Sequence, residues 1–488
     1  MKYLLLLLFL TNLLFPQSNY INYLFEEEHS NSFITEAKNI GDKTFIVGRF
    51  IDTETNKNKL KIFKLNSEHQ IVKEKVILHN DSTIYTRDLI IDDNLIYLCY
   101  ATASPSKLPI VDYQTHILKM DLDLNVLDKT ALLNRRCKWQ RANLAIDDDF
   151  LYIAGSFMQI STCTHAPYIV KLDIELNKVD SVKPPFPNCE IFNLQVYDNN
   201  LIVIGTDRVG DECSFIREFD SNLELKREVI LDNKYRDPKD FIIEDNLLYM
   251  VSAIDTEPNT YSSPFRFYSG LVSKMDLDFN IIAETVFGTE NADIQNGIAK
   301  FNDKIITFGS YDVNWQTQDL WNGNITIFNE NLEEENSFVF KDDPELSDFS
   351  DILFTTNGTI LLAGWYASDE NTNQKGWLFE TDFDGNFNPN QTVDIDEEFP
   401  ETSSILRNYP NPFNSTTNIT YLSKNNDIGT IYIYNSNGKK IREILNLQIK
   451  KGENSFKLQI ENIPSGVYYY QLILNSGTMA TDKMVYLK

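Results

Sequence analysis

The chain has 488 residues, 42% of them hydrophobic and 24% charged, which is enough to bury real cores across roughly two to four domains. Disorder and collagen-like repeats are excluded. Lys and Arg number 44 against 71 Asp and Glu, and the balance is uneven: ten basic against five acidic residues over 402–488, but 34 against 66 before that. A body that acidic repels phosphate backbones, which argues against nucleic-acid binding.

The N-terminus reads Met-Lys-Tyr followed by 12 apolar or small residues from Leu4 to Phe15, then Pro16-Gln17-Ser18. That run is too short to span a bilayer. A cation, a short apolar core and a small residue describe a secretory signal, expected over residues 1–18 with cleavage near Ser18.

From there the chain repeats. A polar turn followed by a short apolar burst recurs at Asp42, Asp93, Asp148, Asn199, Asp245, Asp303 and Asn357. Bursts such as TFIVG, LIVIG and TILLAG follow these turns. A second marker of the KMDLDLN type recurs in phase at Asn66, Asp121, Asp173, Asp220, Asp276, Asn329 and Asp382. Both markers count seven copies at spacings of 46–58 residues. Each copy holds four short runs with β character, separated by Asp/Asn/Gly turns. Four strands in about 40–50 residues make a propeller blade. The expected fold is therefore all-β, a seven-bladed β-propeller over residues 19–391. The seventh copy lacks a clear fourth strand, whereas Tyr20–Glu26 is a spare strand-like run ahead of the first. The N-terminal strand is expected to complete the last blade and clasp the ring, which removes two open edges.

An acidic, Pro-containing linker is expected over 392–407, and a small immunoglobulin-like β-sandwich over 408–488. This last module opens Asn408-Tyr-Pro-Asn-Pro-Phe-Asn, turns at Asn437-Gly438-Lys439, and ends on Pro464-Ser-Gly-Val-Tyr-Tyr-Tyr and Lys483-Met-Val-Tyr-Leu-Lys488. Those motifs resemble the type A C-terminal sorting domain of the bacterial type IX secretion system, from about residue 402 to the end. The resemblance implies export through the periplasm to the medium or outer cell surface. It also implies as partners the type IX machinery and its C-terminal-signal peptidase, with removal of the domain by a cut between Asn388 and Arg407.

For chemistry the sequence offers little. Aspartate boxes, WD and YWTD signatures and a G-x-S-x-G elbow are missing. The D-x-D turns lack the spaced oxygens of a calcium loop and read as backbone-capping hairpin turns. His165 sits alone in what reads as a long loop. No metal, cofactor or catalytic residue is expected. Propeller topology puts the second-to-third-strand loops and the blade-to-blade crossings on one face, and the long insertions fall there. Large aromatics in polar loops either pack or bind, so Trp139, Tyr261, Trp315 and Trp321 are the candidate ligand-binding residues. The expected function is a non-catalytic body that binds a glycan, peptide or protein through that face. The alternative is a polysaccharide- or peptide-degrading hydrolase or lyase, with Asp237, Asp240 and Glu257 as weak candidates. Finally, Cys137/Cys189 and Cys163/Cys213 repeat near the blade period, 52 and 50 residues apart. The expected bridges are Cys137–Cys163 and Cys189–Cys213, with Cys99 a buried free thiol.

Overall fold

The computed structural model describes most of residues 22–487. Outside the description lie 1–21, 26–29, 55–57, 80–82, 104–110, 138–140, 159–163, 185–187, 208–212, 232–236, 256–267, 290–291, 314–321, 341–345, 368–373, 387–391 and 394–405. A few shorter stretches beyond 406, and some further side chains, lie outside it as well. The chain divides into two compact units at Ile395/Asp396.

The first unit is a seven-bladed β-propeller. Each of the first six blades is an antiparallel four-stranded sheet with strands in chain order, as in Ser30–Ile40, Lys43–Asp52, Asn58–Leu65 and Ile71–Ile77 of blade one. The inner strands of blades two to seven are Thr83–Asp92, Asn143–Ile146, Cys189–Tyr197, Asp237–Glu244, Ala292–Phe301 and Leu346–Phe354. Successive inner strands touch all the way round, Leu346–Phe354 against Ser30–Ile40 included, so the ring is closed. In blade seven the fourth strand is Asn22–Phe25, antiparallel to Lys375–Thr381 with Asn22 opposite Phe379 and Phe25 opposite Gly376. The clasp is as expected. Thr392–Val393 adds a short parallel strand outside it.

Local chemistry makes the blades. The inner hairpins at Asp93-Asn94, Asp198-Asn199 and Asp245-Asn246 have φ positive at both residues. That is the type I′ turn that matches strand twist. The bursts end in glycine because the second strand crowds the inner one: a Cβ on Gly205 would lie 2.2 Å from the Glu190 carbonyl, and on Gly364 1.9 Å from that of Asp348.

The outer hairpins share one Asx turn. Asp121 Oδ1 accepts from the amides of Asp123 and Asn125 at 2.8 and 2.9 Å. Asp220, Asn329 and Asp382 accept in the same i+2 and i+4 pattern. These oxygens are occupied by backbone, as the hairpin reading requires. The residue at i+3 has positive φ in all seven copies: His69, Leu124, Leu176, Leu223, Phe279, Leu332 and Gly385. A left-handed Leu costs roughly 1–2 kcal/mol. Its return is burial: Leu124, Leu176, Leu223, Phe279 and Leu332 are each at most 4% exposed and fill the cores between blades. Leu223→Ala is therefore expected to destabilise the propeller by about 2–5 kcal/mol. Leu223→Gly should cost about 1 kcal/mol less than Ala, because glycine relieves the backbone. Denaturant titrations of both variants check this unusual order, and an Ala variant more stable than Gly would contradict it.

The cysteines correct the expectation. Cys189 and Cys213 both register on Asp207, from its two sides. A whole strand separates them, and two interstrand spacings put their Cα atoms about 10 Å apart, beyond the ~7 Å reach of a disulfide. Cys189 is instead a free, buried thiol facing Arg217, whose Nη1 lies 3.6 Å from Sγ, and burial pushes it up to about 11. Cys137 is buried at the end of the outer strand of blade two, and Cys163 lies outside the described residues, so the other bridge finds no support either. Cys99 is a buried free thiol.

The second unit is a sandwich of a three-stranded and a four-stranded antiparallel sheet, with no helix among the described residues. The three-stranded sheet is Leu406–Tyr409, Thr416–Ser423 and Gly452–Gln459. The other runs in the order Lys440–Ile449, Asp427–Asn435, Gly466–Leu474 and Met479–Tyr486. Ile419, Ile431, Ile433, Tyr470 and Met484 fill its core without exposure. The two terminal motifs bind each other: Asn411 receives the Val485 amide at 2.8 Å and donates to the Lys483 carbonyl at 3.0 Å. Phe413 packs on Tyr486, their centroids 5.4 Å apart.

Candidate functional site at the loop face

In six of the seven blades the inner strand breaks register with its neighbour, and short polar residues of the inner strands reach toward the next blade. Asp88 accepts from its own neighbour Leu89 N at 2.7 Å and from Leu144 N of blade three at 2.6 Å. Asp240 repeats this with Phe241 N at 2.8 Å and Ile298 N of blade six at 3.1 Å. Asp351 closes the ring with Ile352 N at 2.8 Å and Ala37 N of blade one at 2.9 Å. Where the residue is Asn, its amide donates onward: Asn143 to the Phe192 carbonyl at 2.6 Å, and Asn193 to Asp240. Apart from the side-chain pair Asn193–Asp240, each bond satisfies a backbone group that would otherwise be orphaned.

Glu36 and Lys38 of blade one join this ring, Lys38 Nζ lying 2.7 Å from Asp351. Burial pushes Asp240 up to about 6, and burial then the charges of Asp88 and Asp351 push Glu36 well above the usual carboxylate range. Burial lowers Lys38, but Asp351 and Glu36 more than restore it, so its net shift is upward. Asp240 was a weak catalytic candidate, and the structure commits both its oxygens to neighbouring blades. Asp237 stands apart from it, bound to Lys239 Nζ at 2.7 Å and Thr206 Oγ1 at 3.3 Å. Glu257 lies outside the described residues. Among the described residues no group of three or more His, Cys, Asp or Glu is arranged to hold a metal ion.

Above this ring, toward the loop ends of the strands, basic and aromatic side chains gather on blades one to four. Arg49 lies over the Tyr85 ring at 4.4 Å and Arg87 at 5.3 Å, with Tyr113 6.2 Å from Tyr85 between ring centroids. The Asn58 side-chain carbonyl, with the amide turned to face it, accepts from Arg49 Nε at 3.1 Å and Nη2 at 2.8 Å. On the neighbouring blades Arg141 Nε pairs with Glu190 at 2.8 Å and stacks on Phe192 at 4.7 Å. His165 Nδ1 stands 3.5 Å from the other Glu190 oxygen. His165 is thus the first residue of a strand, His165–Asp173, rather than a loop residue.

Trp139, Tyr261, Trp315 and Trp321 lie outside the described residues. The described strands bring the Arg49–Tyr85–Arg87 group to the same face, and sequence reading missed it. A single Arg inside a strand such as TIYTRDLIID carries no periodic or motif signal.

Comparison with known proteins decides the C-terminal unit. Residues 407–486 match the family described as the secretion system C-terminal sorting domain. This segment is a type IX C-terminal sorting domain. The sorting domain directs the chain out of the cell, to the medium or the outer surface, and makes the type IX machinery its partner. The knot between Asn411, Phe413 and the terminal strand shows physically why the domain's opening and closing motifs occur together.

No curated protein matches the chain. Among solved structures, the propeller domain of the Trilobed protease from Pyrococcus furiosus aligns with TM-score 0.43 and 12% identity over 72% of this chain and 95% of its own. A Drosophila Semaphorin 1b fragment aligns at 0.44 and 8% over 73% and 86%. A chain from a structural analysis of two prolyl endopeptidases aligns at 0.43 and 11% over 81% and 54%. These are likenesses of fold.

Proposed function

We propose that the exported propeller is a non-catalytic binding body that takes a glycan, peptide or protein on its loop face. The observation that carries the reading is the contrast between its two faces. At one face the hairpins are short, and at the outer ones Asp and Asn oxygens are spent on backbone amides. The long insertions of the sequence, with Trp139, Tyr261, Trp315 and Trp321, fall by propeller topology to the other, and the described strand ends there carry the basic and aromatic group described above. Binding of the secreted protein to glycan and peptide arrays tests it: a reproducible ligand lost on Trp315→Ala or Trp321→Ala is the expected result. Turnover of an offered polysaccharide or peptide would overturn the non-catalytic reading in favour of a hydrolase or lyase.

The mature form, in the same proposal, lacks residues 1–18 and is cut between Asn388 and Arg407 by the C-terminal-signal peptidase. Intact mass of the secreted species is expected to match that body. A C-terminal peptide containing Tyr486 on the surface-bound species would contradict it.

A further inference from the structure

Arg87 is an anomaly in this acidic chain. It stands on the inner strand of blade two, its Nε is buried, and among the described residues that nitrogen finds no hydrogen-bond acceptor. Among the described residues no carboxylate pairs with it: the adjacent Asp88 is spent on Leu89 N and Leu144 N. The charged and titratable groups around it are Arg141, Tyr113, Tyr168 and Cys99, and of these Arg141 repels it. Burial first, then Arg87, also lowers Arg49. Arg87 as a whole is half-buried, so part of its guanidinium meets solvent, but a buried N–H without an acceptor is costly. Proteins seldom retain one without a partner.

A second observation comes from the sequence. Residues 134–143, between the last strand of blade two and the first of blade three, read Asn-Arg-Arg-Cys-Lys-Trp-Gln-Arg-Ala-Asn. They hold four cations and Trp139 and no acid, in a sequence with 71 Asp and Glu. Residues 104–110, Ser-Pro-Ser-Lys-Leu-Pro-Ile, also lack an acid. The acidic balance of the body is inverted over this stretch, as it also is over 56–65, where Lys57, Lys59, Lys61 and Lys64 stand without an acid.

We propose that Arg87, with Arg49 and Tyr85 beside it, receives an oxyanion, a carboxylate or sulfate, carried by a saccharide or free in solution. A guanidinium offers a planar fork that fits both groups. This deepens the loop-face reading and rests on it.

The test uses the secreted full chain, titrated with an oligogalacturonate, a sulfated disaccharide, inorganic sulfate, a neutral oligosaccharide and an acidic peptide. Saturable binding of the anionic saccharides is expected, weakened by raising NaCl from about 50 to about 500 mM, with no binding of the neutral sugar. Arg87→Met should reduce affinity about ten- to hundredfold and leave the ligand-free melting midpoint unchanged or higher. Arg87→Lys should fall between the two. A structural role for Arg87 would instead lower the midpoint. Equal affinity for inorganic sulfate would support a free-anion site and overturn the saccharide source. Binding by the acidic peptide alone, no binding of any anionic probe, or undiminished binding by Arg87→Met would overturn the proposal. A glycan or peptide bound equally by wild type and Arg87→Met, yet lost with Trp315, would leave the loop-face reading standing without it.

Discussion

Phe25→Ala is expected to lower the unfolding free energy of the propeller by about 3–5 kcal/mol, the usual cost of emptying a buried phenylalanine site. Four residues, Asn22–Phe25, supply the only antiparallel partner for the third strand of blade seven at that edge. Phe25 is 1% exposed and packs on Phe63 of blade one at 5.0 Å between centroids. The Phe25 carbonyl also accepts from Ser32 Oγ, and that Ser32 hydroxyl oxygen accepts the Gly376 amide at 2.8 Å. The Phe25 ring and the Ser32 hydroxyl together join the clasp to blade one. All five tryptophans precede residue 378, so tryptophan fluorescence during denaturant titration reports the propeller separately from the sorting domain. A loss below about 1 kcal/mol would mean that the inner-strand ring holds without its clasp.

Asp351→Ala is expected to cost about 3 kcal/mol or more, and Lys38→Met no more than about 1 kcal/mol. The difference separates two readings of one side chain. Asp351 holds Lys38, but it also accepts the amides of Ile352 and Ala37 and so ties blade seven to blade one. Alanine leaves both amides and the lysine without their acceptor, whereas methionine in place of Lys38 leaves the amide bonds intact. Equal effects of the two variants, measured by the same fluorescence titration, would reduce Asp351 to an ion-pair partner. Because Asp88 and Asp240 hold their blades in the same geometry, their alanine variants should follow Asp351→Ala rather than Lys38→Met.

The repeat, the blade count, the clasp and the sorting domain were legible in the chain itself. Each rests on local chemistry repeated in phase. Asp or Asn at a turn binds amides two and four residues on, an apolar burst makes the second strand, and seven copies require a ring. The missing fourth strand of copy seven and the spare one at Asn22–Phe25 complete the same count. What the period could not supply was distance across the sheet. Cys189 and Cys213 lie on one blade near the expected places, yet an intervening strand holds them apart. Cys137 ends an outer strand while Cys189 opens an inner one, although their spacing matches a blade. Equal spacing along a chain marks equivalent positions only when every blade has the same length, and these run from 46 to 58 residues. The left-handed leucines and the interblade aspartates were likewise settled by packing, since a turn sequence does not say that its fourth residue will be buried. Arg87 was settled by tertiary structure alone. Its character comes from groups of the next blade and from the commitment of Asp88 to the amides of Leu89 and Leu144, and its own strand sequence shows neither.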